Sequence, residues 1–391
     1  IDYNERTIET NINKINKLLG TDFVIDEVMD VFVRLNLQPE LKDEQIHVTV
    51  PSYRNDLSIP EDLSEEVIRV LGYDRLPETL PKMDLTHGTY STEQKLQREL
   101  ENIALSYGAN QVVTYTLVSE DKTNGPLSIG EAIPLLSPLS ESRAYLRTSL
   151  LNSMLETVRY NKARKVNNNF IFEESRLYAK GNRETHLAIM AEGYLNEETW
   201  LKDSIKLDFF YLKGMFLEMM SRIGIQEQRF SFTSLEDESQ TFNPYKGANI
   251  LFARKKIGVL AHLHPKFSAK NDLDETVYLE VNIDPILNAK RGSIKSQKLS
   301  KHHDIVRDMA VLVDNSLTSE ELMRTIMKAS KRSIKDLSVF DVFKSVELGN
   351  KKSLAFKLKF DGEKITSSKD IQLIMENIEN ELVSKHQAII R

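Results

Sequence analysis

No cysteine occurs anywhere in the chain. Disulfides, thiolate metal sites and cysteine nucleophiles are therefore excluded, and the composition agrees with a reducing compartment, so the cytoplasm is the expected location. No run of 18 apolar residues is present, and nothing reads as a membrane-spanning helix. No basic-then-apolar leader follows Ile1, and a chain opening on that residue reads as a fragment or a processed product. Gly-x-Gly and Gly-Lys-Ser/Thr phosphate loops are missing, as are Gly-x-Ser-x-Gly and His-Glu-x-x-His. No set of residues reads as catalytic.

What is present describes a soluble globular protein, 40% hydrophobic and 28% charged. Its 391 residues exceed one ordinary core, which argues for two or three domains. The net charge of −6 is unevenly spread. Residues 1–80 carry 8 Lys and Arg against 17 Asp and Glu, whereas residues 298–391 carry 17 against 14. The mildly basic end is the better candidate for a polyanionic partner.

Hydrophobic spacing organises the chain into three parts. Residues 1–80 read as a small α+β domain. Ile8, Ile12, Ile15 and Leu19 recur at helical spacing up to Gly20, a second helix uses Val28, Phe32 and Leu35, and Ile46, Val48 and Val50 alternate as a strand. A third helix starts near Asp62 and stops at Gly72. Residues 82–290 mix helices (after the capping box of Ser91 and Gln94, through Thr148–Tyr160 and through Phe210–Ile223) with short strands. The strands read at 112–118, 170–172, 186–191, 229–232, 249–252 and 257–262, the last two forming a hairpin. Irregular spacing of the helices favours an antiparallel sheet with flanking helices. After a basic linker, residues 298–391 give strand, helix, strand, strand, helix, strand, the ferredoxin-like βαββαβ order. The expected fold class is α+β, multidomain.

Carboxylates crowd one stretch, "YRNDLSIPEDLSEEVIRVLGYD". Asp62 with Glu65 resembles an N-cap and its reciprocal acid, which explains two of them without a ligand. Convergence of Asp56, Asp62, Glu65 and Glu66 would instead require a hard cation, Mg²⁺ or Ca²⁺. Both readings stay open on spacing alone. Arg143, Arg147, Arg159, Lys162, Arg164 and Lys165 form a basic group that either meets phosphate or is a solvated helix face. In the last domain Leu354, Phe356, Leu358 and Phe360 point to the helices, while Ser353, Ala355, Lys357 and Lys359 point away. The neighbouring strand then places Phe340 and Val342 in the core and Asp341 and Phe343 on the open face.

"VPSYRNDLSIPEDLSEEVIRVLGYDRLPETLP", "LSPLSESRAYLRTSLLNSMLETVRYN", "FFYLKG", "IGVLAHLHP", "VRDMAVLVD", "FDVF" and "KKSLAFKLKF" together resemble the β subunit of bacterial phenylalanyl-tRNA synthetase over nearly the whole chain. The chain departs from that family's pattern at His302–His303, at Asn243 before Pro244 and at Ala261. The resemblance implies an acidic domain in which Asp56, Asp62, Glu65 and Glu66 bind Mg²⁺. It also implies a class II synthetase-like module without an active site, and a ferredoxin-fold anticodon-binding domain. No Arg occupies "FIFEE", where an ATP-binding class II strand would carry one. As partners it implies an α subunit in an (αβ)₂ heterotetramer, tRNA(Phe), and ATP and phenylalanine bound by α, with packing against α expected through helices 148–160 and 210–223. Lys301, Asp341, Phe343, Ser353, Lys357 and Lys359 become the candidate tRNA-binding residues, Phe343 as a stacking platform for an unpaired base. The competing readings are a nonenzymatic RNA-binding or scaffold protein built from these domains and, third, a metal-dependent enzyme acting alone.

Overall fold

The structure is a computed structural model and describes residues 6–196, 199–200, 204–235, 240–292, 302–331, 333–363 and 368–391. The chain divides into two compact units, Ile1–Tyr90 and Ser91–Arg391.

In the first unit, strand β1 (Arg6–Thr10) leads into helix α1 (Ile12–Leu19), followed by α2 (Ile25–Arg34), β2 (Gln38–Lys42), β3 (Gln45–Val50) and α3 (Pro60–Leu71). The sheet runs β1-β3-β2, all antiparallel. Ile8 is therefore a strand residue opposite Val48, not the first turn of a helix. Asn11 breaks the helical period by capping α1, accepting the Lys14 N–H at 2.9 Å. Gly20 closes that helix in the left-handed conformation (φ 71°). Ile8, Ile15, Val28, Phe32, Ile46, Val48, Leu63 and Val67 share one core.

The second unit opens with α4 (Thr92–Ser106), β4 (Asn110–Gln111), β5 (Leu117–Val118), β6 (Tyr145–Leu146), α5 (Leu151–Lys162) and the long pair β7 (Asn169–Ala179) and β8 (Asn182–Glu192). Helix α6 (Phe209–Arg222), β9 (Phe230–Ser234), β10 (Phe242–Phe252), β11 (Lys255–Leu263), α7 (Pro265–Lys270), β12 (Thr276–Asn282) and α8 (Asp284–Leu287) follow. Seven strands form one sheet in the order β4-β7-β8-β12-β11-β10-β9, antiparallel except for the β4–β7 pair. The hairpin β10–β11 turns at Ala253 and Arg254, both at positive φ (49° and 70°), a geometry that suits strand twist.

Each face of this sheet is covered. Helices α4 and α6 lay Leu96, Leu100, Phe216 and Met219 over Phe172, Leu187, Leu279 and Leu260. Helix α5 lays Leu151, Met154, Leu155 and Val158 over Ile171, Met190, Tyr278 and Val259. The inner faces of α5 and α6 thus pack on their own sheet, while Tyr160 and Phe210 remain exposed on these two helices expected to meet a partner. The strand expected over 112–118 shrinks to the two-residue β5, with β4 lying just before that span. Between them Thr114 turns inward to hold Glu173, leaving Val113 and Tyr115 exposed.

The remaining strands β13 (Ile305–Asp314), β14 (Ile334–Phe343), β15 (Lys351–Phe360) and β16 (Ile389–Ile390) form an antiparallel sheet in the order β14-β15-β13-β16. With α9 (Ser319–Ala329) and α10 (Ser368–His386) this is the ferredoxin-like order. Leu354, Phe356, Leu358 and Phe360 are buried beneath the helices with Leu322, Ile326, Ile378 and Leu382.

Gly258 tests how tightly the central strands close. A Cβ there would lie 2.0 Å from the Glu280 carbonyl oxygen, a backbone atom that cannot step aside. Gly258→Ala should therefore destabilise the second unit by about 3 kcal/mol, read as a lowered denaturation midpoint. An unchanged midpoint would mean that β11 and β12 separate freely.

Candidate functional site

Three places in the chain concentrate functional side chains. In the first unit α3 begins at Pro60, so Asp62 is its third residue and not its N-cap. One carboxylate oxygen of Asp62 accepts the N–H groups of Ser58 (2.6 Å) and Ile59 (2.9 Å), and these bonds hold its pKa below the ordinary value. Arg54 lies between Asp56 (2.6 Å) and the buried Glu66 (3.0 Å), and Arg69 holds Glu66 from the other side. Hydrogen bonding to Arg54 keeps the Asp56 carboxyl low, while at Glu66 burial is outweighed by Arg69 and Arg54. Glu65 points to solvent. The four carboxylates do not converge, and among the described residues no group of three or more His, Cys, Asp or Glu side chains is placed to hold a metal ion. In this arrangement they do not fit Mg²⁺, because a guanidinium stands where the cation would neutralise Asp56 and Glu66.

The central sheet carries a row of buried charge on the face under α5. Glu173 and Glu280 both lie opposite Ala188 and so project to the same side. Arg147 (1% exposed) reaches Glu173 (3%) at 2.6 Å, and Thr114 donates to the second oxygen at 2.6 Å. Glu280 accepts from the Leu150 N–H (3.3 Å) and the Tyr278 hydroxyl, and pairs with His186 Nδ1 at 2.7 Å. His186 Nε2 meets Glu184 at 2.9 Å. Burial alone would push the imidazole down, but its bonds to Glu184 and Glu280 prevail and raise it to about 9. On the opposite face burial pushes Glu174 up to about 7. The row is structural charge: every member faces another.

This geometry also redistributes the basic group seen in the sequence. Arg147 is interior, Lys162 pairs with Glu192 (2.9 Å) and Asp274 (2.8 Å), and Arg143 stacks on Tyr115. A cleft of about 660 Å³ at the end of α5 is lined by Arg159, Lys162 and Arg164 but also by Glu156 and Asp272, so most of its basic charge is offset.

The ferredoxin-like sheet keeps one face open. Ser353, Ala355, Lys357 and Lys359 lie on it, and the register sets Asp341 opposite Ala355 and Phe343 opposite Ser353. Five of the six candidate tRNA-binding residues therefore share this face, with Phe343 half exposed, while Lys301 lies outside the described residues. Lys359 is partly committed to Asp304 at 3.2 Å. One assignment fails. A bulge between Val339 and Asp341 shifts the alternation, so Phe340 is 52% exposed with Lys357 5.5 Å from its ring centre, and Val342, at the strand's end, is exposed too. Sequence alternation had no sign of that extra residue.

The chain thus combines an antiparallel sheet clad in helices on both faces with a ferredoxin-like domain and a small acidic unit. Three family descriptions cover the sequence in order: tRNA synthetase B5 domain over residues 8–73, phenylalanyl tRNA synthetase beta chain CLM domain over 76–283, and ferredoxin-fold anticodon binding domain over 300–391. The chain belongs to the phenylalanyl-tRNA synthetase β-chain family. The phenylalanine–tRNA ligase beta subunit of Listeria innocua is 33% identical over 98% of this chain and 48% of its own length. That of Shouchella clausii is 32% identical over 99% and 49%, and that of Staphylococcus epidermidis 33% over 98% and 48%. The chain spans about half the length of the curated relatives it matches. A pyrrolysyl-tRNA synthetase structure from Desulfitobacterium hafniense is similar at a TM-score of 0.37 and 18% identity over 49% of this chain and 66% of its own, too slight a likeness to define the fold.

The His186 pairing predicts a pH dependence. Its pKa is raised from 6.5 to about 9, so its contribution to stability is full below pH 6.5 and lost as pH rises through 9. Denaturation midpoints of the wild-type chain should fall between pH 6.5 and 9, and His186→Gln should flatten that fall. Parallel curves for the two proteins would show that the imidazole carries no such charge.

Proposed function

We propose that this chain is part of the β subunit of a phenylalanine–tRNA ligase, which attaches phenylalanine to tRNA(Phe) in the cytoplasm at the expense of ATP. The observation that carries the proposal is the succession of three family matches across the sequence, seconded by relatives of about one-third identity over almost all of it. We assign residues 1–80 to the acidic domain, 82–290 to a class II synthetase-like noncatalytic module and 298–391 to the anticodon-binding domain. ATP and phenylalanine are bound by an α subunit, which performs the chemistry within an (αβ)₂ heterotetramer. A sheet whose two faces are both filled by its own helices supports that division of labour.

Assembly needs a surface, and on the two helices expected to meet α, Tyr160 and Phe210 stay exposed. Val113, Tyr115, Leu136 and Leu139 are large, apolar and exposed in the second unit. Their exposure supports an α-subunit contact there, since such interfaces are rich in apolar side chains. Anticodon binding falls to the open face carrying Asp341, Phe343, Ser353, Lys357 and Lys359, with Lys301, at the start of that domain's sequence, as the sixth candidate.

Mg²⁺ at Asp56, Asp62, Glu65 and Glu66 is the family expectation, and here it requires Arg54 to release Asp56 and Glu66. Asp62 would use the oxygen not engaged by Ser58 and Ile59, and Glu65 is already open to solvent. A hydrated Mg²⁺ needs only one or two direct carboxylates. Titration calorimetry of the chain with Mg²⁺ should show tighter binding by Arg54→Gln than by wild type. No binding by either protein would reduce the cluster to a helix cap and its ion pairs.

Co-expression with an α subunit tests the main proposal. A stable complex is expected, with phenylalanine-dependent ATP–pyrophosphate exchange that neither chain shows alone. Chains that stay apart at micromolar concentration would overturn it.

A further inference from the structure

We propose that the β14 bulge gives the open sheet a second stacking position, Phe340 beside Phe343, so that two successive unpaired bases are held instead of one. This rests on the reading of the open face as the anticodon site and specifies what that face binds.

The bulge decides the matter. Before it, Leu337 and Val339 lie opposite Leu358 and Phe356 and pack against the core. After it, Asp341 and Phe343 lie opposite Ala355 and Ser353 on the other side. Phe340 is the extra residue. An uninterrupted strand would have sent it to the side opposite Val339, and the same alternation would then have put Asp341 back towards the helices. The inserted residue allows Phe340 and Asp341 to face outward in succession, which is how a bulge re-aims a side chain. The ring is 52% exposed and takes no part in the buried core. The Lys357 ammonium lies 5.5 Å from its centre, and Lys357 is itself an open-face residue.

Two aromatic rings three residues apart on one strand are separated by about 10 Å or less. That distance suits neighbouring bases splayed from a loop, each laid on its own ring, better than one base touching both. Between the rings Asp341 can accept from the edge of a base, and Lys357, beside Phe340, can turn from the ring to a phosphate. An aliphatic side chain would bury as much surface against a protein partner, but a flat ring flanked by an ammonium and a carboxylate matches a base and its phosphate.

The test uses the full chain and an anticodon stem-loop RNA labelled with 2-aminopurine at each loop position in turn. Wild type should quench emission at two adjacent positions. Phe340→Ala should restore emission at one of them and weaken binding roughly 5- to 100-fold, while Phe343→Ala restores the other. Phe340→Leu, which keeps apolar bulk at the site, should behave like Phe340→Ala, and Phe340→Trp should keep the quenching. If Phe343→Ala weakens binding and Phe340→Ala does not, the second position is wrong and the anticodon face stands. If neither substitution changes binding, the anticodon face itself is wrong. Weaker binding by Phe340→Ala with both positions still quenched would also overturn the proposal, since the ring would then act without stacking.

Discussion

Burying Arg147 against Glu173 obliges much of the second unit to be where it is. An arginine at 1% exposure survives only with its charge matched, and Glu173 supplies that match although the Arg147 Nε–H finds no partner among the described residues. Thr114 must therefore leave the strand ladder to complete the carboxylate's shell, which cuts the strand expected there to a stub. The segment leading into α5 must pass over the sheet so that Arg147 can reach down, and the Leu150 N–H then finds Glu280 on the next strand but one. Helix α5 follows within a few residues and seals the row. Ion pairs of this kind contribute little net stability compared with a well-packed apolar substitute, but they penalise every arrangement in which a member is left alone. They specify register across β7, β8 and β12.

The two ends of the chain handle charge differently. In the acidic unit the guanidinium of Arg54 balances Asp56 and Glu66 from within. In the ferredoxin-like domain lysines and a carboxylate remain spread over an open face. One site is balanced within itself and the other is left to be completed, and on the proposed reading this is the difference between a unit built for assembly and one that meets RNA.

Much of this was legible in the sequence. The ferredoxin-like order could be read element by element because its strands bury one face only and so keep a clean period of two, as Leu354 to Phe360 do. Strand β12 was missed altogether: Thr276 to Val281 are all buried, so no polar alternation marks it. Ile8 mimicked a helical position because a strand residue happened to precede Ile12 by four. Asp62 was assigned the wrong place in its cap because Pro60 can start a helix two residues before the acid that satisfies it. The pairing of Asp56 with Arg54 is legible in their spacing, but the reach of Arg54 to Glu66 is not, since those two are brought together by a turn. Phe340 was placed in the core by a rule that one inserted residue overturns.

The order of strands in the large sheet has a consequence for how the chain is made. Strand β8 pairs with β12, whose Thr276 lies 84 residues beyond Glu192. At synthesis rates of about 5–20 residues per second, β7 and β8 emerge roughly 4 to 17 s before the strand that covers their flank. During that interval Leu187, Ala188, Ile189, Met190 and Ala191 form a charge-free edge with its backbone unpaired. A nascent chain of this design depends on something to shield that edge, and its yield in the cell should be governed by the wait for β12 as much as by the stability of the finished sheet.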